Sequence, residues 1–376
     1  MNGTERFDTV IVGGGQAGLS VAYYLKKQGR SFVILDGGAR IGDSWRRRWD
    51  SLRLFTPAKY DGLPGWRFPA SAWSFPTKDE MGDYLEAYAD RFDLPSRTGT
   101  VVDGLSRVGD RLAVRAGDHV FEADAVVVAS GAHRVPKVPA FASQLDPAIR
   151  QMHSSEYCNP AQLRGGGVLV VGVGNSGAEI ALEASRSHHV WLSGSPVGEI
   201  PVRHGGAGAR VFLPVLRFAG QHVLTVGTPV GRKVRPSFVS RATPLVRTKM
   251  KDLAAAGVEQ VPRTAEVRDG RPLLEDGRVL DVTNVVWSTG FRPEYSWIDL
   301  PVFGGDGLPM HRRGVVESEP GLYFVGLPFQ YGATSDTLVG VGRDARYIAK
   351  RIASFPSARA RATEPALAAG TGRAVA

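Results

Sequence analysis

Two complete glycine fingerprints, starting at Gly13 and Gly172 and so 159 residues apart, predict an α/β chain with two Rossmann-like dinucleotide-binding domains. Each fingerprint sits between a short apolar run and a segment of helical period. A third observation bears on topology. Two strand-like runs end in small residues, Ala129-Ser130-Gly131 and Ser288-Thr289-Gly290, as expected where the chain crosses between domains close to a dinucleotide. The second domain is read as an insertion into the first.

The run Phe7–Val12 is too short for a buried helix and reads as a buried parallel strand. Gly13 permits the tight turn, Gly15 lets backbone approach a pyrophosphate, and Gly18 brings helix and strand together. Gln16 and Ala17 open the helix, whose N-terminus faces the phosphate charge. Gly29 supplies its C-terminal cap, Phe32–Leu35 forms the next strand, and Asp36 stands where a carboxylate accepts hydrogen bonds from an adenosine ribose. Framed in this way, the fingerprint is a dinucleotide site.

Beyond Asp36 come Gly37, Gly42, Ser44 and Trp45, then a run of three arginines, Arg46 to Arg48, and the segment Arg53-Leu54-Phe55-Thr56-Pro57. Arginines interleaved with tryptophans can signal nucleic-acid binding. With a dinucleotide site so near, the run is read as a loop packing a flavin ring and its phosphates. Residues 57–76 read as an irregular loop. Thr77–Phe92 reads as a helix with Thr77 and Glu80 as a capping box. Strands are expected around Val101–Val102, at 111–115, at 120–122 and at 123–129, with 133–139 as a linker in which His133 is a plain loop residue.

The second unit repeats the first: strand Val168–Val171, the fingerprint Gly172, Gly174, Asn175, Ser176 and Gly177, a helix to Ser187, and strand Val190–Leu192. No acid follows; Ser193, Gly194 and Ser195 do. A carboxylate there would bond the ribose of NAD and repel the extra phosphate of NADP. Two hydroxyls, with Arg203 and His204 downstream, suit NADPH, with NADH as the alternative donor. The remaining expectations are strands at 279–286 and 322–325 and a final helix at about 336–352. From Ala353 the Ala-, Arg-, Pro- and Ser-rich chain reads as a disordered tail.

The 376 residues suffice for two domains, and no apolar run approaches the length of a membrane span. The chain runs almost at once into its first strand, so no signal peptide is expected. Cys158 is the only cysteine, which excludes an internal redox-active pair and points to a reducing cytoplasm. Residues 200–251 hold ten of the 46 Lys and Arg and no Asp or Glu; the remaining 36 basic residues face 37 acidic ones. The net charge of +9 therefore resides in this segment. It reads as a solvated helical insertion that draws in an anionic cofactor or substrate, rather than as a surface for nucleic acid or membrane.

The residues from the first fingerprint to the final helix resemble the flavin-containing monooxygenases, in particular the small soluble type that includes the plant indolepyruvate monooxygenases. Gly42 to Trp45, Ser51 to Pro57, the second fingerprint and Ser288-Thr289-Gly290 carry the likeness. Of the hallmark FxGxxxHxxx(F/Y), the half with His153 and Tyr157 is present, whereas Pro147 and Ile149 occupy the Phe and Gly positions. Baeyer–Villiger enzymes are similar too, but end that hallmark in Trp. The resemblance implies an FAD-binding domain (1–145 and 289–354) and an inserted NADPH-binding domain (146–288, with the basic insertion at about 200–251), followed by the tail 355–376. It also implies that NADPH reduces FAD and that a flavin C4a-(hydro)peroxide formed with molecular oxygen oxygenates a small amine, sulfide or keto compound. An NAD(P)H oxidase or reductase with the same cofactors is the alternative. The implied cofactor contacts are Gly13, Gly15, Gln16, Ala17, Gly18, Asp36, Gly37, Gly42, Ser44, Trp45, Arg53, Leu54, Thr56, Val102 and Ala129 to Gly131, then the second fingerprint with Ser193 and Ser195, and Thr289, Gly290 and Phe291. No side chain is assigned as catalytic acid or base, and His153 is expected to brace the junction between the domains.

Overall fold

The structure is a computed structural model that describes residues 3–132, 135–240 (backbone only at Ser240) and 243–355. His133 and the tail beyond 355 lie outside the described residues. Strand β1 (Thr4–Val12) leads through the glycine turn into α1 (Gln16–Lys27) and β2 (Phe32–Leu35). Gly29, at φ +66°, closes α1 in the left-handed conformation that glycine tolerates. A short α2 (Asp43–Arg46) precedes α3 (Lys78–Arg91), whose N-terminus carries the expected Thr77–Glu80 capping box. Then follow β3 (Ser96–Arg97), β4 (Gly104–Val108), β5 (Arg111–Ala116) and β6 (His119–Val128). The strand expected at Val101–Val102 is not one; pairing with β5 begins only at Gly104, opposite Arg115. The pieces expected at 120–122 and 123–129 are a single strand, because β6 pairs with β1 along nearly its whole length.

After β7 (Val135–Pro136), the chain forms β8 (Arg150–His153), β9 (Val168–Val171), α4 (Asn175–Ala184) and β10 (Val190–Ser193). The basic stretch is helical as expected, with α5 (Ala207–Phe218) and α6 (Pro229–Ser240) followed by α7 (Met250–Ala255). Next come β11 (Glu259–Val261), the hairpin of β12 (Thr264–Arg268) and β13 (Arg271–Leu274), and β14 (Asn284–Trp287). The chain closes with β15 (Phe291–Arg292), β16 (Leu322–Phe324) and α8 (Leu338–Ala353), which starts two residues later than expected.

The first sheet runs β3-β2-β1-β6-β5-β4, and β16 pairs with β6 at its C-terminal end. Period-two alternation divides β1 between two layers: Ile11 packs with α1, α3 and α8, whereas Val10 and Val12 pack on the opposite face with Phe121 and Phe324. The second sheet, β11-β10-β9-β14-β8, is parallel throughout, and its three central strands are largely buried. In each sheet the strand before the fingerprint lies between one strand that follows it directly and one that returns from far along the chain. This reversal of strand order opens a crevice at the C-terminal ends. The insertion folds back onto the first sheet's side: Val226 N–H donates to the Tyr331 carbonyl at 2.8 Å and Ala333 N–H to the Leu224 carbonyl at 2.9 Å. No helix among the described residues is long and apolar enough to cross a membrane.

The glycines differ in what they tolerate. A Cβ on Gly18 would lie 1.9 Å from the Gly13 carbonyl oxygen, but one on Gly15 would meet nothing within 4 Å. Gly18→Ala is therefore expected to cost about 1–3 kcal/mol through overpacking of backbone on backbone. Gly15→Ala should cost less than about 1 kcal/mol of fold stability, the difference in N-cap preference. Denaturant unfolding of the flavin-free protein measures both; equal costs would contradict this reading.

Candidate active site

Strand register brings the parts of the first crevice level. Val12 pairs with Leu35 on one side and Val128 on the other, so Gly13, Asp36 and Ala129 leave their strands side by side. Gly13 has φ +110°, and a Cβ there would lie 2.4 Å from the Ala129 carbonyl oxygen. This close approach is why the turn needs glycine and why the neighbouring strand ends in small residues. The N-terminus of α1 has no side-chain cap and no acid in its first turn, so its backbone donors are left for a ligand. The open space at Gly15 fits a pyrophosphate at those donors. The Asp36 carboxylate accepts from Gly14 N–H at 2.6 Å and from Gly38 N–H at 2.8 Å, which fixes its orientation and leaves lone pairs on both oxygens for a ribose.

Around this crevice Gly37, Ser44, Arg53 and Gly131 are exposed, Gln16, Trp45, Thr56 and Ser130 are half-buried, and Ala17, Gly18, Gly42, Leu54 and Val102 are buried. Gly42, at φ +90°, lies against the Gly82 backbone. The arginine run divides its labour differently from the expectation that it packs on the flavin and its phosphates. Arg46 is saturated by Asp43, Asp83 and Glu86 and by the Ile41 carbonyl, and Arg47 is exposed. Arg48 alone turns toward the junction of the two sheets, with its guanidinium 5.7 Å from the Phe291 ring, and burial lowers its pKa.

The second crevice repeats the first. Val171 pairs with Ser193 and with Trp287, and a Cβ on Gly172 would lie 2.3 Å from the Ser288 carbonyl oxygen. Gly174 is open, Gly177 packs on the Gly172 carbonyl, and the N-terminus of α4 is uncapped, with Ser176 in its first turn. Asn175 is held by the insertion: its carboxamide accepts from Val246 N–H at 2.9 Å and donates to the Pro244 carbonyl at 3.0 Å. Ser193 is a correction. It is fully buried, and its hydroxyl is shared with the Pro262 carbonyl (2.9 Å) and the Thr264 hydroxyl (2.8 Å), so it holds β12 to β10 instead of meeting a phosphate. His204 is also committed elsewhere, donating from Nε2 to the Phe55 carbonyl at 3.0 Å. Exposed Ser195 lies two residues past the end of β10, and exposed Arg263 follows Pro262, whose carbonyl takes the Ser193 hydroxyl.

Between the crevices the two crossings pair with each other: β7 and β15 form an antiparallel ladder, Pro136 opposite Phe291. His153, at the end of β8, joins them. Its Nε2 is 3.0 Å from the Gly290 carbonyl, which can only accept, so Nε2 carries the proton. Nδ1 lies 2.8 Å from the Ser155 hydroxyl, and the ring meets Phe291 edge-on at 4.8 Å. Burial lowers the His153 pKa, although the Gly290 carbonyl and Glu156 oppose this, and the imidazole is held neutral. Thr289 donates to the Lys137 carbonyl across the same junction. Tyr157 is fully buried and donates to Glu183 at 3.0 Å, bracing α4. Ile149, where the hallmark has Gly, packs into the core with Leu145, Leu280 and Trp287.

Two buried carboxyls escaped the reading of the sequence. Glu179 on α4 takes a two-point hydrogen bond from Arg247 (2.9 and 2.6 Å), which also donates to the Ser51 carbonyl. Burial nevertheless pushes Glu179 up to about 7. Asp61 is fully buried; it accepts from the Thr56 hydroxyl, and its Oδ2 has no hydrogen-bond partner. Burial pushes it up to about 7 against the effect of Thr56. Neither has a periodic signal, since both depend on what a loop or the insertion lays over them.

Comparison with known proteins agrees with this geometry. The pyridine nucleotide-disulphide oxidoreductase profile matches residues 10–194. An uncharacterized CzcO-like oxidoreductase of Geobacillus kaustophilus is 39% identical over 91% of this chain and 97% of its own. A probable indole-3-pyruvate monooxygenase of Arabidopsis thaliana, YUCCA3, is 30% identical over 92% of this chain and 86% of its own. The solved flavin-containing monooxygenase of Stenotrophomonas maltophilia superposes with a TM-score of 0.76 at 30% identity, over 94% of this chain and 99% of that one. The chain belongs to the flavin-containing monooxygenase family. It is a flavin-dependent oxidoreductase, and with a single cysteine it has no thiol pair with which to cycle a disulfide. As a family monooxygenase it takes oxygen and an organic substrate.

Asp61 makes this monooxygenase's stability depend on pH in a definite direction. Its folded value lies above the ordinary carboxylate value, so the native state holds the proton more tightly than the unfolded chain. That contribution is complete at about pH 4 and is lost as pH rises through about 7. Asp61→Asn is expected to gain on the wild type by about 3–4 kcal/mol between pH 4 and pH 8. Urea unfolding at the two pH values reads the difference, and a constant gap would show that the carboxyl ionises freely in the fold.

Proposed function

We propose that the protein is an FAD- and NADPH-dependent monooxygenase that inserts one oxygen atom into a small amine, sulfide or keto compound. FAD would be held by residues 1–145 and 289–354, and NADPH by residues 146–288. The observation that carries the reading is the pair of uncapped, glycine-lined crevices whose crossings meet at His153 and Gly290. The family's FAD and NADP chemistry supports the same cofactors.

When bound, FAD supplies hydride acceptance and oxygen activation. The chain's own groups supply position and dryness. The α1 and α4 N-termini offer backbone N–H groups to pyrophosphates, and Asp36 accepts from a ribose. Neutral His153 sets the width of the junction without donating charge to it. Arg48, desolvated and with no ion pair among the described residues, supplies positive charge beside Phe291. The absence of an acid at Ser193–Ser195, with Arg263 alongside, supports NADPH over NADH. The single cysteine supports a reducing, cytoplasmic setting.

Pro147 and Ile149 in the hallmark favour one second reading, an NADPH oxidase whose reduced flavin returns oxygen as hydrogen peroxide. Anaerobic reduction by NADPH, followed by mixing with oxygenated buffer, separates the two. A slow return of oxidised-flavin absorbance, hastened by substrate, is expected for the monooxygenase. Prompt reoxidation with stoichiometric hydrogen peroxide would move the oxidase to first place. Ser195→Asp is expected to lower the kcat/KM preference for NADPH over NADH by at least about tenfold. An unchanged ratio would remove Ser195 from the phosphate site.

A further inference from the structure

Away from both crevices, a cavity of about 360 Å³ opens between the 59–64 loop, α5 and α8. Its lining includes four cations, Lys59, Arg217, Arg343 and Arg346, and no Asp or Glu. No lining residue belongs to either glycine fingerprint or to the strand ends beside it. None of the four cations forms an ion pair within 4.0 Å among the described residues. Aromatic faces lie against three of them: Lys59 and Arg217 are 4.8 and 5.1 Å from the Tyr60 ring, and Arg343 is 4.2 Å from Tyr331. Arg217 has no acid within the 200–251 insertion with which to pair.

Lys59, Arg217 and Arg346 are exposed, whereas Arg343 is half-buried. Arg343 donates from Nη1 to the Gln221 carbonyl, but its Nε and Nη2 are buried without a hydrogen-bond partner. Burial lowers its pKa. The nearby Asp344 carboxyl opposes this lowering, and a lining of four cations with no carboxylate favours an anion over a neutral or cationic ligand. The rest of the lining is apolar or aromatic, with Tyr24, Leu63, Pro64, Leu338 and Val339. The volume lies at the small end of the range for ligand pockets, about 300–1,000 Å³.

We propose that this cavity is a binding site for a small organic anion, a carboxylate on a single-ring or short apolar body, held by Lys59, Arg217, Arg343 and Arg346. The insertion thereby completes, through Arg217, a site against helix α8. The site stands apart from the oxygenation reading, because it needs neither reduction nor turnover.

The test is calorimetry on the oxidised, flavin-loaded protein without NADPH, with phenylacetate, its neutral isostere phenylacetamide, and inorganic phosphate. Phenylacetate is expected to bind one to one, at least about tenfold more tightly than either comparator, and to weaken as salt is raised. The double variant Arg217→Gln/Arg346→Gln is expected to lose at least tenfold in phenylacetate affinity while flavin content and Tm are kept. If the double variant does not fold, the exposed Lys59→Gln is read in its place, with the same direction of effect. Equal binding of phenylacetamide, or undiminished binding by the folded variants, overturns the anion site. Phosphate binding as tightly as phenylacetate overturns the organic assignment. Prompt peroxide release in the reoxidation experiment, with phenylacetate still bound, would defeat the monooxygenase reading and leave this one standing.

Discussion

The structure depends on one repeated contact, glycine backbone pressed against the end of a neighbouring strand. Gly13 meets Ala129 and Gly172 meets Ser288 at distances that leave no room for a Cβ. The contact turns the chain within one residue of the strand end and aims an uncapped helix at the crevice. It also requires small residues on the adjoining strand. Strand register does the rest, since it brings Asp36 level with the first turn and Gly194 level with the second.

The junction follows from the same construction. Because the neighbouring strand in each sheet ends beside the glycine turn, both crossings leave from the crevice floors and pair as β7 and β15. His153 then bonds the Gly290 carbonyl from the end of β8, so the second sheet's edge is tied to the returning crossing. A charged imidazole would be poorly solvated there, and burial keeps it neutral. The bond positions the two crevices relative to each other.

The insertion adds a second kind of tie, made of charge. Arg247 clamps Glu179 on α4 and reaches the Ser51 carbonyl of the first domain's loop. Pairs of this kind give less net stability than their geometry suggests, since both partners are desolvated. Their effect is to specify which surfaces meet. The same insertion places Arg217 opposite α8, where no acid answers it.

Features with short-range causes were legible in the sequence. The fingerprints, the Thr77–Glu80 box, Gly29, the strand ends at Ala129 and Ser288 and the helical nature of the insertion can each be read from a few consecutive residues. The misreadings arose where partners lie far apart in the chain. Val101–Val102 is apolar enough for a strand, but the ladder it would join starts at Gly104. Ser193 carries a hydroxyl at the right spacing, yet β12, some 70 residues on, takes it. Arg46 and Arg48 are indistinguishable in sequence, and only α3 and its carboxylates decide that Arg46 is saturated and Arg48 is not. The sequence by itself determined two dinucleotide crevices on an α/β scaffold, because turn geometry and period are local. The tertiary structure decided which hydroxyls, cations and carboxyls face those crevices and which are left unpaired, because burial and partnership depend on chain segments that no local pattern brings together.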